Sequence, residues 1–532
     1  MANSVNSEQP EKNPSGLLRS SAVFSAMTML SRVLGLVRDI VFGVMIGASA
    51  NADAFFVAFK LPNFLRRLFA EGAFAQAFVP VLSEYRENGS RAAVLGLIDR
   101  TAGVLGGTLL LICSLMIVGA PVVTALFAPG FLDDPFKYQL TVDMVRITFP
   151  YLFLISMTGF CGAILNSYGR FAVPAFTPVL LNISLISAAI FATPYFDEPV
   201  FALAWGVLLA GVAQLLFQYP FMHRLGVVPR PIWDVRDEGV RRIMVLMVPA
   251  LFGVSVSQIN LMLDTILASF LPTGSVSWLY YSDRLTELPL GVFGVAIATV
   301  ILPSLSRLRS NSSEDRFAHT LDWAMRGVLL IGLPSSLALI LLAEPILVTL
   351  FQYGALTPFD VSMSALSLRA YCLGLLAFML VKVLAPGYYA RQDTATPVKI
   401  GIRAMVANMV LNLLFVVPLY HFWNIGHVGL ALATSVAAWL NAVLLLRGLL
   451  HEKVFRWQPG WKLLLQRLLL ACLLMVLILV LLTPDVQQWL DWGWQSRITR
   501  LLVLVTAGMS VYLISHFASG TRIADFYTPK QA

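Results

Sequence analysis

Apolar stretches of membrane-spanning length recur along the whole chain, with short polar loops between them. Residues 101–132, 171–196 and 199–222 contain no Asp, Glu, Lys or Arg, and roughly 20 apolar residues suffice to cross a bilayer. Apolar windows predict about fourteen spans, near 24–46, 54–82, 96–120, 140–165, 173–194, 200–222, 243–268, 276–303, 325–344, 363–388, 400–418, 427–446, 464–483 and 499–518. Lipid offers no partner to open backbone groups, so such spans are helices. No repeated alternating strands with turns are present, which argues against an outer-membrane barrel. The expectation is an all-α integral membrane protein.

Composition sharpens that reading. Only 12% of the 532 residues are charged and 58% are hydrophobic, with mean hydropathy +0.78; a soluble domain carries about 25% charged residues. The polar start of the chain, without a small-residue cleavage pattern, predicts a retained first helix rather than a removed signal. Cys113, Cys161, Cys372 and Cys472 stand alone in apolar surroundings and read as buried thiols. The six histidines are scattered, so they suggest no metal site.

The net charge of +8 would hint at nucleic acid in a soluble protein. Here its distribution explains it better, and no nucleic-acid partner is expected. Arg224, Arg230, Arg236, Arg241 and Arg242 crowd one loop, Arg307, Arg309 and Arg316 a second, and Arg447, Lys453, Arg456 and Lys462 a third. The alternate loops near 46–53, 195–199, 269–275, 345–362 and 419–426 carry neither Lys nor Arg. The positive-inside rule places the basic loops and both termini in the cytoplasm.

The chain also repeats itself at a spacing of roughly 220 residues. APVVTALFAPG (120–130) resembles EPILVTLFQYG (344–354), and VPVLSEY (79–85) resembles LPSLSRL (302–308). Tyr168, Arg170, Thr177 and Pro178 recur as Tyr389, Arg391, Thr396 and Pro397. The offset equals six spans, so both copies keep one membrane orientation, as in parallel-repeat transporters. This predicts two pseudo-symmetric six-helix lobes around a central cavity, plus two C-terminal helices. The boundaries are a cytoplasmic tail (1–23), an N-lobe (24–225), a basic cytoplasmic linker (226–242), a C-lobe (243–450), the extra helix pair (451–520) and a second cytoplasmic tail (521–532).

Charges inside the predicted spans are the anomaly. Arg32, Arg38 and Asp39 lie in the first span; Asp53, Lys60, Arg66, Arg67 and Glu71 lie in or beside the second; Asp283, Arg284 and Glu287 lie in the eighth. An ionised side chain at the centre of a span costs about 2.5–3.5 kcal/mol on insertion scales. Pro62 should bend its span and free backbone groups. Lys60 aligns with Asp283, and Leu61 with Arg284, so the two charged sites are equivalent in the repeat and should face each other across a cleft. The bland alternative is internal salt bridging, of Arg38 with Asp39 or Asp53 and of Arg284 with Glu287, since buried charges need partners. The functional reading is a bound anion, because arginine forks suit phosphate or carboxylate oxygens. The acids then organise the arginines or carry protons.

No GxxxxGK[ST] loop is present, so the chain is not itself a P-loop ATPase. Nor does a nucleophile or metal cluster stand out, and a transporter rather than an enzyme is expected. No cofactor is called for. An ion gradient or the membrane potential is left as the energy source; one charge crossing 100 mV is worth about 2.3 kcal/mol. Asp264, alone in the seventh predicted span, and Asp393, before the eleventh, could each help hold a cation or proton; Asp393, beside Thr394 and Thr396, reads more readily as a helix cap.

The motifs SRVLGLVRD, ADAFFVAFKLPNFLRRLFAEGAFAQAFVPVLSEY, GVSVSQI, SVSWLYYSDRLTELPLGVFGVAI and LAPGYYARQDTATPVK resemble those of the MurJ (MviN) lipid II flippases, within the multidrug/oligosaccharidyl-lipid/polysaccharide exporter superfamily. The likeness runs from about residue 20 to the C-terminus. It implies two six-helix lobes with two further helices, and translocation of undecaprenyl-diphosphate-linked peptidoglycan precursor from the inner to the outer leaflet of the bacterial cytoplasmic membrane by alternating access. It carries substrate-binding roles onto Arg32, Arg38, Asp53, Arg66 and Arg284, with Lys60, Asp283 and Glu287 as weaker matches; Asp39, Arg67 and Glu71 stay as supporting charges of the cluster. It places a sodium-site acid at Asp264 and a groove for the polyprenyl tail at the last two helices. Lipid II, membrane phospholipids and cell-wall synthesis or division proteins are the implied partners. An exporter of another polyprenyl-linked glycan or of drugs, or a non-transport envelope scaffold, are the alternatives.

Overall fold

The computed structural model describes residues 14–67, 74–291, 295–310 and 314–520. In chain order its helices are α1 (Pro14–Met45), α2 (Ala50–Leu65), α3 (Ala75–Asn88), α4 (Arg91–Val118), α5 (Ala120–Phe127), α6 (Pro135–Thr148), α7 (Pro150–Ser167), α8 (Ala172–Ser187), α9 (Pro199–Leu225) and α10 (Glu238–Ser269). They continue as α11 (Ser275–Pro289), α12 (Val295–Ser310), α13 (Glu314–Leu341), α14 (Ala343–Phe351), α15 (Pro358–Tyr389), α16 (Ala395–Trp423), α17 (Gly426–His451), α18 (Trp461–Leu482), α19 (Val486–Asp491) and α20 (Trp494–Ala518). No strand occurs among the described residues. Ten segments there are long and apolar enough to cross a membrane. The other four predicted spans fall on α1, on α2 with α3, on α10, and on α11 with α12.

Local chemistry sets the ends. Ser90 accepts the Ala93 N–H at 3.2 Å to start α4. Thr357 and Asp360 form a reciprocal capping box, with Pro358 at the first position of α15. Gly226, at φ 64°, closes α9 in the left-handed conformation that glycine adopts without strain. The predicted span 140–165 is two helices, because Pro150 begins a new one directly after Phe149. The repeated APVVTALF and EPILVTLF segments each form a short helix behind a long one, α5 after α4 and α14 after α13. Pro62 does not end α2, which runs on to Leu65; Asn63 Nδ2 donates to the Phe59 carbonyl at 2.9 Å.

The chain divides into two compact units. The first comprises residues 1–39, 59–120 and 143–254; the second comprises 40–58, 121–142 and 255–532.

In the first unit, α3, α4, α7 and α9 share an aromatic core in which Phe74 stacks on Phe78 and both meet Phe160 at an angle, at centroid distances of 5.1–5.9 Å. Each such pair contributes about 0.5–1.5 kcal/mol beyond area burial. Lipid tails are as apolar as leucine, so close packing rather than burial holds such helices together. The segment 226–237, the first part of the linker expected over 226–242, is strapped onto α4, and the remainder begins α10 at Glu238. Asp99 accepts the Arg230 N–H at 2.7 Å, and Arg100 pairs with Asp237 at 3.0 Å. Any Cβ at Gly103 would overlap the Ile232 carbonyl.

In the second unit α15 is the central post, packed by α13 and α17. A Cβ at Gly374 would lie 2.6 Å from Ser435 Oγ, and that hydroxyl donates to the Ala370 carbonyl at 2.7 Å. A glycine facing a serine lets two backbones approach closely. The four cysteines are free and buried.

Candidate functional site

The first unit holds Arg32, Arg38, Asp39, Lys60, Arg66 and Arg67 of the predicted set. Arg38 is buried and curls back on its neighbour: its Nε and Nη2 donate to Asp39 Oδ1 at 2.9 and 2.7 Å. Its Nη1 donates to Asn182 Oδ1 on α8 at 3.1 Å, and Asn182 Nδ2 donates to the Ser31 carbonyl at 2.9 Å. Asn182 thus ties the guanidinium and the turn below it to one amide. Arg32, Lys60 and Arg66 are half-buried, and Arg67 is exposed. Arg66 Nε donates to Asn63 Oδ1 at 3.2 Å. Glu71 lies outside the described residues.

The second unit holds Asp53, Asp264, Asp283, Arg284 and Glu287. Arg284 Nη1 pairs with Glu287 Oε2 at 2.8 Å, one helical turn along α11. Its guanidinium also sits 4.9 Å from the Tyr280 ring, and Tyr280 stacks on Phe56 at 3.9 Å. Carboxylate and aromatic shelf together orient a cation whose side chain stays 32% exposed. Asp283, next to it, is exposed.

Asp53 has different surroundings from those expected of a ligand-binding acid. It is 1% exposed. Its oxygens accept the Lys137 ammonium at 2.9 Å, the Gly274 N–H at 2.8 Å, and both the N–H and the hydroxyl of Ser277, at 3.0 and 2.6 Å. Four donors saturate the carboxylate in this structure, and they fasten α2 to the N-terminus of α11, where the helix dipole favours an anion. Of the ion pairs weighed from the sequence, Asp53 takes a cation that was not among them, Lys137. Arg38 with Asp39 and Arg284 with Glu287 do form.

Asp264 on α10 belongs to an oxygen-rich cluster. Asn412 Nδ2 donates to its Oδ1 at 2.9 Å, and Thr434 Oγ1 lies 3.4 Å from its Oδ2. Asn412 also donates to Asn408 Oδ1 at 2.9 Å, and Asn408 donates to Thr434 at 3.3 Å. Asn408 and Asn412 are buried on one face of α16. The Asn412 carbonyl oxygen is buried and finds no hydrogen-bond partner among the described residues. A carboxylate, amide oxygens and a hydroxyl are donors that suit a hard cation. Asp393 accepts the Thr396 N–H at 3.0 Å at the start of α16, a cap as expected.

Sequence reasoning missed Lys137, Asn182, Ser277, Asn408, Asn412 and Thr434. Two of them left a trace: Asn408 and Asn412 stand four residues apart in an apolar run, the spacing of one helix face.

Comparison with known proteins bears on the whole chain. The family model described as lipid II flippase MurJ matches residues 43–518. A probable lipid II flippase MurJ of Vibrio cholerae is 49% identical over 516 residues, covering 96% of this chain and 97% of the relative. One from Haemophilus influenzae is 48% identical over 509 residues, covering 93% and 98%. The solved structure of a lipid II flippase MurJ in an inward closed conformation superposes with TM-score 0.77 at 28% identity, covering 93% of this chain and 98% of that one. An inward-facing multidrug transporter of the MATE family shares the fold, with TM-score 0.63 at 15% identity over 81% and 98%. The match across nearly the full length, by family model and by relatives at almost half identity, places this chain in the lipid II flippase MurJ family.

Proposed function

We propose that this protein moves lipid II from the inner to the outer leaflet of the bacterial cytoplasmic membrane by alternating access, with fourteen crossings and both termini in the cytoplasm. The observation that carries the reading is Arg38: a membrane-embedded guanidinium, 7% exposed, held rigid by Asp39 and Asn182. A charge at that depth is costly, and preorganised forks suit a diphosphate. Arg284, oriented by Glu287 and Tyr280, is a further candidate cation, as are Arg32 and Arg66. Asp53, saturated by Lys137, Gly274 and Ser277, positions helices and does not touch the substrate. The exposed leucines of α18 and α20, among them Leu469, Leu473 and Leu502, suit the polyprenyl tail.

Coupling to a monovalent cation or proton fits the Asp264 cluster, where Asn408, Asn412 and Thr434 complete an oxygen set with a spare buried carbonyl. A bound cation there would neutralise the acid and give the carbonyl a partner.

A leaflet-specific lipid II assay tests the proposal. Arg32→Ala, Arg38→Ala and Arg284→Ala should each abolish translocation while the protein still inserts. Full activity of all three variants would overturn the site.

A further inference from the structure

At one end of the second unit, on the side the basic loops assign to the cytoplasm, is a cavity of about 370 Å³. Its walls come from the end of α12, the start of α13, the turn after α15 and the loop after α17. Four cations line it: Arg309, Arg391, Lys453 and Arg456. Two acids, Glu314 and Glu452, share the lining. Phe317, only 4% exposed, gives the cavity an apolar wall.

The acids do not cancel the cations. Arg391 pairs closely with Glu452, while Arg309 reaches Glu314 only at 3.8 Å. Arg456 turns toward Asp315 at 3.4 Å, a residue that is itself 85% exposed. Pairs so exposed to water hold weakly, with a median contribution of about 0–1 kcal/mol. Among the described residues Lys453 has no ion-pair partner. Lys453 also sits at φ 57°, a left-handed conformation that a non-glycine residue adopts at a cost of about 1–3 kcal/mol. Hydrogen bonds from the N–H groups of Lys453, Val454 and Phe455 to the last carbonyls of α17 hold it there. The first turn of α13 adds its own partial positive charge at the cavity wall.

We infer that this cavity is a binding site for a phosphate-bearing anion, separate from the charged clusters on α1 and α11. The planar guanidinium of Arg391 takes two phosphate oxygens, Lys453 supplies a point charge, and Glu452 is the built-in competitor that the anion displaces from Arg391. The volume falls in the range of small-ligand pockets, about 300–1,000 Å³. Either a soluble diphosphate or the head group of an anionic phospholipid presents this chemistry.

Titration of the purified full-length protein with inorganic pyrophosphate, followed by calorimetry, tests the soluble source. Titration of the same protein in phosphatidylcholine nanodiscs with and without phosphatidylglycerol tests the lipid source. Saturable binding of either probe is expected. Arg391→Gln should weaken it by about tenfold or more, the loss of a charge-assisted pair of contacts. Glu452→Gln should strengthen it, an outcome that a folding defect does not imitate. Binding of neither probe, or binding indifferent to both substitutions, overturns the site.

Discussion

Asp53 on α2 accepts both the main-chain N–H and the hydroxyl of Ser277 on α11, at 3.0 and 2.6 Å. A residue separated by more than two hundred positions in sequence thus acts as the N-terminal cap of a helix. Lys137 approaches the same carboxylate at 2.9 Å and is 4% exposed along its side chain. Removing one partner of a buried pair costs about 3–5 kcal/mol, because the other charge is left without compensation. Asp53→Asn should therefore lower the unfolding free energy by about that amount. Lys137→Met should cost less, because three donors still serve Asp53. The double variant should lie close to Lys137→Met alone, a coupling that a double-mutant cycle on thermal unfolding measures.

Asn182 sets the pose of Arg38 without carrying charge itself. Asn182→Leu removes the acceptor at 3.1 Å and should reduce lipid II translocation by roughly tenfold, the equivalent of one hydrogen bond to a charged group. Arg38→Lys keeps the charge but loses the fork, and should be nearly as inactive as Arg38→Ala. Initial rates in the leaflet-specific assay order these variants; Arg38→Lys at full rate would argue against fork recognition.

Asp264→Asn keeps the shape of the α10–α16–α17 cluster and removes its charge. Any dependence of transport on sodium or on a pH gradient should vanish in that variant and in Asn412→Leu. An unchanged ion response in reconstituted vesicles would place coupling elsewhere.

Arg497 at the start of α20 is a buried cation held by four carbonyls, with the Tyr353 ring 5.2 Å from its guanidinium. It donates to the Trp489 and Leu490 carbonyls at 2.9 Å each, and to those of Val348 and Gln352 at 3.3 and 3.1 Å. Those carbonyls lie at or just beyond the C-terminal ends of α14 and α19, where the dipole favours positive charge. Arg497→Met preserves bulk and strands buried acceptors, and should destabilise the protein by about 3 kcal/mol. Hydrogen exchange across 486–500 should rise in step.

Asp393 lies in a loop, and the Thr396 hydrogen bond holds its carboxyl below the ordinary value of 3.8. A group depressed in the folded state stabilises fully above its unfolded pKa and loses that contribution as pH falls through its folded pKa. Protection of the first-turn amides of α16 should thus be constant above about pH 5 and weaken only below the ordinary aspartate range. Asp393→Asn should remove the pH dependence, as read by hydrogen exchange at the Thr396 amide.

Much of the membrane architecture was legible in the chain. Apolar runs located helices because lipid admits no other backbone solution; Gly226 moved one end by a few residues only, while Pro150 split one predicted span into two helices. The short helices of the recurring APVVTALF and EPILVTLF segments, α5 and α14, fall almost wholly outside the predicted spans, although the repeat itself is a local match and was legible. Arg38 with Asp39 and Arg284 with Glu287 were readable for the same reason, since partners within one turn meet whatever the fold.

What the sequence could not disclose is every contact set by helix packing. Asp53 read as a ligand-binding acid until Lys137 and Ser277 arrived from distant segments to saturate it. Asp264 read as a lone acid until α16 and α17 brought an amide and a hydroxyl to it. Sequence alone determined where charge enters the membrane, because hydropathy is a sum over neighbours in the chain. Only the tertiary structure decided which charges are spent on holding helices together, because a buried carboxylate is satisfied by whichever donors packing delivers.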